Sequence, residues 1–117
     1  MPVTKLRLEL EEIGRGIFDP HYVISKAFDE TGSLRYELVT GTTDQAMPIS
    51  TTTGIATIQA FYIYSSQTIT IRQVAADTGE QVTANSPYLV FGTSRTALLV
   101  SNASGSTANI DIWVGGT

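Results

Sequence analysis

The clearest hydrophobic pattern in the chain is the run 55–74, IATIQAFYIYSSQTITIRQV, where apolar and polar positions alternate on both sides of a break at Ser65-Ser66. Alternation of this kind sends successive side chains to opposite faces of a strand. Folding the two halves onto each other pairs Tyr64 with Gln67, Tyr62 with Ile69, Ala60 with Ile71 and Ile58 with Gln73. In that hairpin Ile58, Ala60, Tyr62, Ile69 and Ile71 form the inner face. Thr57, Phe61, Ile63, Thr68, Thr70 and Arg72 form the outer one.

The same patterning predicts the other elements. Val3, Leu6, Leu8 and Leu10 set against Thr4, Lys5, Arg7 and Glu9 read as a strand. The stretch 11–20, with Gly14, Gly16 and Pro20, reads as a loop, with room for a helical turn at Leu10–Ile13. Tyr22–Phe28 and Leu34–Thr40 predict a second hairpin about Asp29-Glu30-Thr31-Gly32-Ser33, with Gly32 taking the positive φ of the turn. Its dry face carries Tyr22, Ile24, Phe28, Leu34, Tyr36 and Leu38.

Gly41–Gly54 is polar and threonine-rich and reads as a crossing between sheets, with Met47-Pro48-Ile49 as a short edge strand. Gln81–Ala84 makes a short strand within the connection 75–87, and Tyr88–Phe91 another, stopped by Gly92. Thr96–Ala103 and Thr107–Val114 predict a last hairpin about Ser104-Gly105-Ser106. Leu98, Val100, Ile110, Ile112 and Val114 share its inner face, and Ala97, Leu99, Asp111 and Trp113 the outer one.

Seven to eight strands with turns about every 8–12 residues and no extended helix predict an all-β, antiparallel β-sandwich. Residues 1–18 form an N-terminal strand or arm, and 19–117 a single sandwich domain.

Composition narrows the chemistry. At 117 residues the chain is the size of one domain and buries a core without a disulfide or metal staple. It has no cysteine, which removes disulfides, thiolate metal sites and cysteine nucleophiles together. A net charge of −4, with seven scattered basic residues, argues against nucleic acid as a partner. The opening MPVTKLRLELEE lacks the apolar core of a signal peptide, and no segment approaches a membrane-spanning helix. The expectation is a soluble protein with no membrane partner.

The candidate catalytic and metal-binding residues are few. His21, the one histidine, follows Asp19-Pro20. A general base oriented by Asp19 is the functional alternative, but no nucleophile motif accompanies it, and a surface loop histidine is the expectation. Glu9, Glu11 and Glu12 read as a solvated strand end. Asp29-Glu30 lacks the spacing of a calcium loop, and Gly14-Arg15-Gly16 is not a phosphate-binding fingerprint. The sequence therefore predicts no enzyme, no catalytic residue, no metal site and no cofactor.

Apolar side chains on outer faces carry more information. Phe61, Ile63, Leu99 and Trp113 all fall opposite the predicted core faces and are the candidate interface residues. Four explanations stand: the inner face is the other one, the N-terminal segment covers them, they meet another subunit, or they form a stacking platform for a sugar.

The second half also has a recognisable cadence. Tyr64-Ser65-Ser66-Gln67 is followed by Thr68–Arg72, Tyr88–Gly92, Leu98–Asn102 and Ile110–Gly116. Over residues 55–117 this resembles the small jelly-roll-like structural proteins of tailed-bacteriophage virions, head decoration and tail-associated proteins among them. The resemblance implies a jelly-roll-like sandwich and a non-enzymatic virion component, assembled in the host cytoplasm. It implies homo-oligomers, often trimers, that dock on capsid or tail subunits through an N-terminal arm such as Met1–Phe18. The alternative function is a carbohydrate-binding module using exposed aromatic residues.

Overall fold

The computed structural model describes residues 3–9 and 21–117. In chain order these form β1 (Val3–Glu9), β2 (His21–Ala27), β3 (Glu30–Leu38), β4 (Thr42–Ala46), a helical turn α1 (Ile49–Thr53), β5 (Ile58–Ser65), β6 (Ile69–Arg72), β7 (Glu80–Val82), β8 (Tyr88–Arg95), β9 (Leu99–Asn102) and β10 (Ala108–Gly116). β1 and β2 pair with each other as a ribbon. The other eight strands make two antiparallel four-stranded sheets, β3-β10-β5-β8 and β4-β9-β6-β7. Consecutive strands mostly sit in opposite sheets, and this strand order is that of the eight-stranded jelly roll. The fold is the all-β, antiparallel, jelly-roll-like sandwich that the strand pattern and the family resemblance anticipate.

Most strands lie close to where alternation places them, but β4 falls in the stretch read as a crossing, β8 continues through Gly92 (φ 74°) to Arg95 instead of stopping there, and the strand partners differ. β5 and β6 do not form a hairpin: β5 runs between β10 and β8 in the first sheet, while β6 runs between β9 and β7 in the second. The Ser65-Ser66 break is the corner between the sheets. The Ser65 hydroxyl donates to the Gln67 carbonyl (2.7 Å) and accepts from the Gln67 N–H (3.2 Å), which bends the chain away. Ser66 stays tied to β10, its N–H donating to the Asn109 carbonyl (3.0 Å) and its hydroxyl accepting from the Asn109 N–H (2.9 Å). The predicted last hairpin is likewise a crossing, with β9 in the second sheet and β10 in the first.

The predicted hairpin 22–40 is also replaced. β2 pairs with β1, and β3 pairs with β10. Gly32 lies within β3 and outside the positive-φ region. Its role is close approach, since a Cβ there would stand 2.6 Å from the Thr53 side chain of α1. That turn occupies part of the expected edge strand 47–49: Ile49 is buried, and the chain leaves the turn at Gly54, whose φ of 77° suits a residue without a Cβ. The proposed helical turn at Leu10–Ile13 lies outside the described residues.

The core fills the space between the sheets with apolar side chains. Phe61 and Ile63 of β5, Ile110, Ile112 and Val114 of β10, Ile69 and Ile71 of β6, and Val100 of β9 are each at most 2% exposed. This corrects the inner face of β5. Ile58 also points inward, so the inward positions 58, 61, 63 and 65 are out of step by one residue. The step is made by a bulge: β10 advances one residue, Gly115 to Gly116, while β5 advances two, Ala60 to Ile58. The extra residue switches Phe61 and Ile63 to the core and sends Tyr62 outward.

Two buried polar side chains, Ser65 and Asn102, mark corners of the sandwich. The Asn102 amide donates to the carbonyls of Leu38 and Ser106, both at 2.8 Å. Its oxygen accepts from the Ser104 N–H (3.1 Å) and hydroxyl (2.7 Å). One side chain thereby joins the end of β3 in the first sheet to β9 in the second and shapes the turn into β10.

Replacing Asn102 with alanine would remove the amide donor from the buried Leu38 carbonyl, while the Ser106 carbonyl keeps the Ser104 hydroxyl. The expected loss is on the order of 2 kcal/mol, the cost of a buried polar group losing its partner. Urea unfolding should show a lower midpoint at unchanged slope. A loss below about 0.5 kcal/mol would show that Asn102 is not the corner tie.

Candidate binding groove on the first sheet

Strand register dictates what the outside of the first sheet presents. One row runs Ser33–Trp113–Tyr62–Leu89 across β3, β10, β5 and β8. The next row is Thr31–Gly115–Ala60–Phe91. On the other side of the aromatic row lie Arg35, Asp111 and Tyr64. Neighbours within a row are about 5 Å apart, close enough for large side chains to touch.

Small residues at Gly115 and Ala60 leave a depression beside Trp113, and Phe28 fills it. Phe28 is 1% exposed, and a Cβ on Gly115 would come within 2.9 Å of its ring. The ring meets Trp113 edge-on at 5.9 Å and Phe91 at 6.3 Å between centroids. Both distances fall in the favourable range for aromatic pairs. Phe28 directly follows β2, so it is the point where the ribbon is fastened to the sandwich.

The rest of the aromatic row stays open. A cavity of about 450 Å³ lies between β1 and the sheet, walled by Thr4 and Lys5 on one side and by Tyr62, Leu89, Phe91 and Trp113 on the other. A second depression of about 450 Å³ adjoins it along Tyr62 and Trp113 and reaches Ser33, Arg35 and Asp111. A third continues past Arg35 and Asp111 to Glu37 and Asn109. The three depressions follow one another across the outer face of the sheet, with Tyr62 and Trp113 between the first two and Arg35 and Asp111 between the last two, and the surface runs from apolar at the β8 end to polar at the β3–β10 end.

Arg35 and Asp111 face each other across the strands at 3.0 Å, with side chains 89% and 54% exposed. An ion pair so open to water adds little to stability. By contrast, Arg95 lies at 2.5 Å from Glu80, with its guanidinium 5.0 Å above the Phe61 ring. Tyr88 also donates to Glu80. That cluster links β7 to β8 across the two sheets and is structural.

The four candidate interface residues separate. Phe61 and Ile63 are 0% exposed in the core, because the β5 bulge turns them inward. They are therefore withdrawn as contacts. Leu99 lies in the second sheet, opposite Ala46 and Arg72, away from Trp113. Trp113 is on the outer face, as its strand's alternation implies, partly covered by Phe28. His21 opens β2 opposite Glu9, while Asp19, Glu11, Glu12 and Gly14–Gly16 lie outside the described residues. Among the described residues there is no cluster of three potential metal ligands. Tyr62, Leu89 and Phe91 escape the sequence reading, and the available signal was their spacing from Trp113 once sheet order is known.

No family model matches the chain, and no curated protein sequence matches it. Among solved structures it is similar to the cupin domain of Schizosaccharomyces pombe Cnp3, at 9% identity with a TM-score of 0.49, over 95% of this chain and 83% of that one.

Alanine at Gly115 would press a methyl group into the Phe28 ring and unseat the ribbon. Hydrogen exchange should then quicken in residues 21–28 while β5 and β10 keep their protection. Emission from Trp113, the one tryptophan, should shift to the red. Unchanged exchange in the ribbon would refute Phe28 as its fastening.

Proposed function

We propose that this chain is a non-enzymatic structural protein of a tailed-phage virion, a capsid-decoration or tail-associated subunit that self-associates and docks on other virion proteins. The observation that carries the proposal is the β1–β2 ribbon. A two-stranded ribbon alone is marginal in water and needs a further surface to pack on. Among the described residues its own sandwich supplies one buried anchor at the ribbon's end, Phe28. A neighbouring subunit supplies the remaining surface. The register sets Leu6 opposite Ile24 and Leu8 opposite Tyr22, so the paired strands bring apolar residue types together.

Other features support the same reading. The jelly roll is a frequent fold of capsid components, though a fold alone does not specify a function. The cadence of residues 55–117 resembles that of small virion proteins. Self-association through the ribbon follows the ordinary scale of specific interfaces, about 800 Å² on each partner.

A second reading is a carbohydrate-binding module. One observation favours it: the open groove along Tyr62 and Trp113 on the first sheet.

The self-association proposal is tested by mass in solution. Sedimentation or light scattering should give a multiple of the 12.6 kDa chain mass. Removal of residues 1–27 should return a monomer whose sandwich still unfolds cooperatively. A full-length chain that stays monomeric throughout the micromolar range would exclude the proposal.

A further inference from the structure

From the geometry of the first sheet we infer that its groove binds an uncharged oligosaccharide lying lengthwise from Leu89 to Arg35. The inference rests on the carbohydrate-binding reading and names its ligand class, orientation and discriminating residues. The ribbon contributes only Thr4 and Lys5 to this groove, and the residues that discriminate between ligands lie on the sheet.

The combined depressions form an elongated trough rather than a closed pocket, which suits a chain-like ligand with free ends. Each principal depression is within the volume range of small-molecule sites, about 300–1,000 Å³.

Chemistry along the trough changes in a way that matches a sugar. Trp113 and Tyr62 stand directly opposite each other on adjacent strands and line both central depressions. Aromatic surfaces that are apolar on the face and polar at the edge accept the C–H face of a pyranose ring while its hydroxyls point aside. Next to them, Arg35 and Asp111 offer planar donor and acceptor groups, already paired and oriented at 3.0 Å. A vicinal diol can donate to the carboxylate and accept from the guanidinium without either group losing its ionic partner.

Charge selects among ligands. Among the described residues, the ionised side chains along the trough are Lys5 and Arg35 against Glu37 and Asp111, which sum to zero. A nucleic acid or sulfated glycan would meet no net positive field, and a basic peptide no net negative one. A neutral polyhydroxylated chain requires neither. The apolar end at Leu89 and Phe91 covers the ligand's less polar rings, and Thr4 and Lys5 of β1 wall that end.

The test uses the full chain and a panel of neutral gluco-, manno-, galacto- and N-acetylglucosamine oligosaccharides, with sulfated and uronic acid-containing oligomers alongside. Binding is followed by calorimetry and by emission from Trp113. At least one neutral oligosaccharide should bind and shift the emission. Trp113→Ala should weaken it roughly ten-fold or more, the loss expected for a central contact. Arg35→Ala and Leu89→Lys, both surface changes that spare the fold, should weaken binding from opposite ends of the trough. Circular dichroism and solution mass should stay the same for both.

Binding confined to charged oligomers, or neutral binding untouched by Arg35→Ala and Leu89→Lys, would overturn the lengthwise neutral-ligand assignment while leaving a carbohydrate module standing. Silence across the whole panel would overturn both. If instead Leu89→Lys lowers the solution mass and no sugar binds, the trough is a protein interface and the inference fails.

Discussion

The extra residue in β5 is the constraint on which the rest of the architecture turns. A strand presents alternate residues to alternate faces, so the inward positions of one strand cannot change parity without a break. Ile58 and Phe61 both point inward, and the bulge opposite Gly115–Gly116 permits it. Without that step either Ile58 or the pair Phe61 and Ile63 would face out. With it, the core closes with all three, and Tyr62 moves to the outside next to Trp113. Core and groove are two consequences of one local irregularity.

Gly115 and Gly116 explain why the irregularity is tolerated. A Cβ at Gly116 would lie 1.9 Å from the Thr57 carbonyl oxygen, so the backbone of β10 can meet the bulge only with glycine there. A Cβ at Gly115 would occupy the place of the Phe28 ring. The glycine pair at the end of the last strand therefore serves both sides of the sheet. One glycine lets two backbones approach, and the other opens the seat that fastens the N-terminal ribbon. The glycine pair is thus a packing requirement.

These facts bear on how much was legible beforehand. Strand positions were readable because alternation is a local property, and β5, β6, β9 and β10 lie where it puts them. Strand partners were not, because a corner between sheets and a tight hairpin use the same residue types. Ser65-Ser66 and Ser104-Gly105-Ser106 are polar, small and flexible in either case. The difference is made by non-local bonds such as Ser66 to Asn109 and Asn102 to Leu38, whose partners lie 43 and 64 residues away. The groove was legible only in part. Trp113 sits on an unbroken stretch of alternation, so its outward direction could be read. Tyr62 sits beyond the bulge, where the parity count fails, and Phe28 follows a strand whose partner is β1 rather than β3.

The arrangement of ribbon and groove has a consequence for how the surfaces relate. Thr4 and Lys5 of β1 form one wall of the apolar end, while Phe28 after β2 fixes the ribbon beside Trp113. The width of that end is therefore set by the angle at which the ribbon leaves its anchor. Among the described residues, the Phe28 ring between Trp113 and Phe91 is the buried link from the ribbon to the sandwich, so a contact that moved the ribbon would also move that wall. Ribbon position and groove shape are coupled through Phe28. Under the proposed self-association, a subunit contact on the ribbon would favour the groove shape that contact prefers, by as much as its affinity differs between ribbon positions.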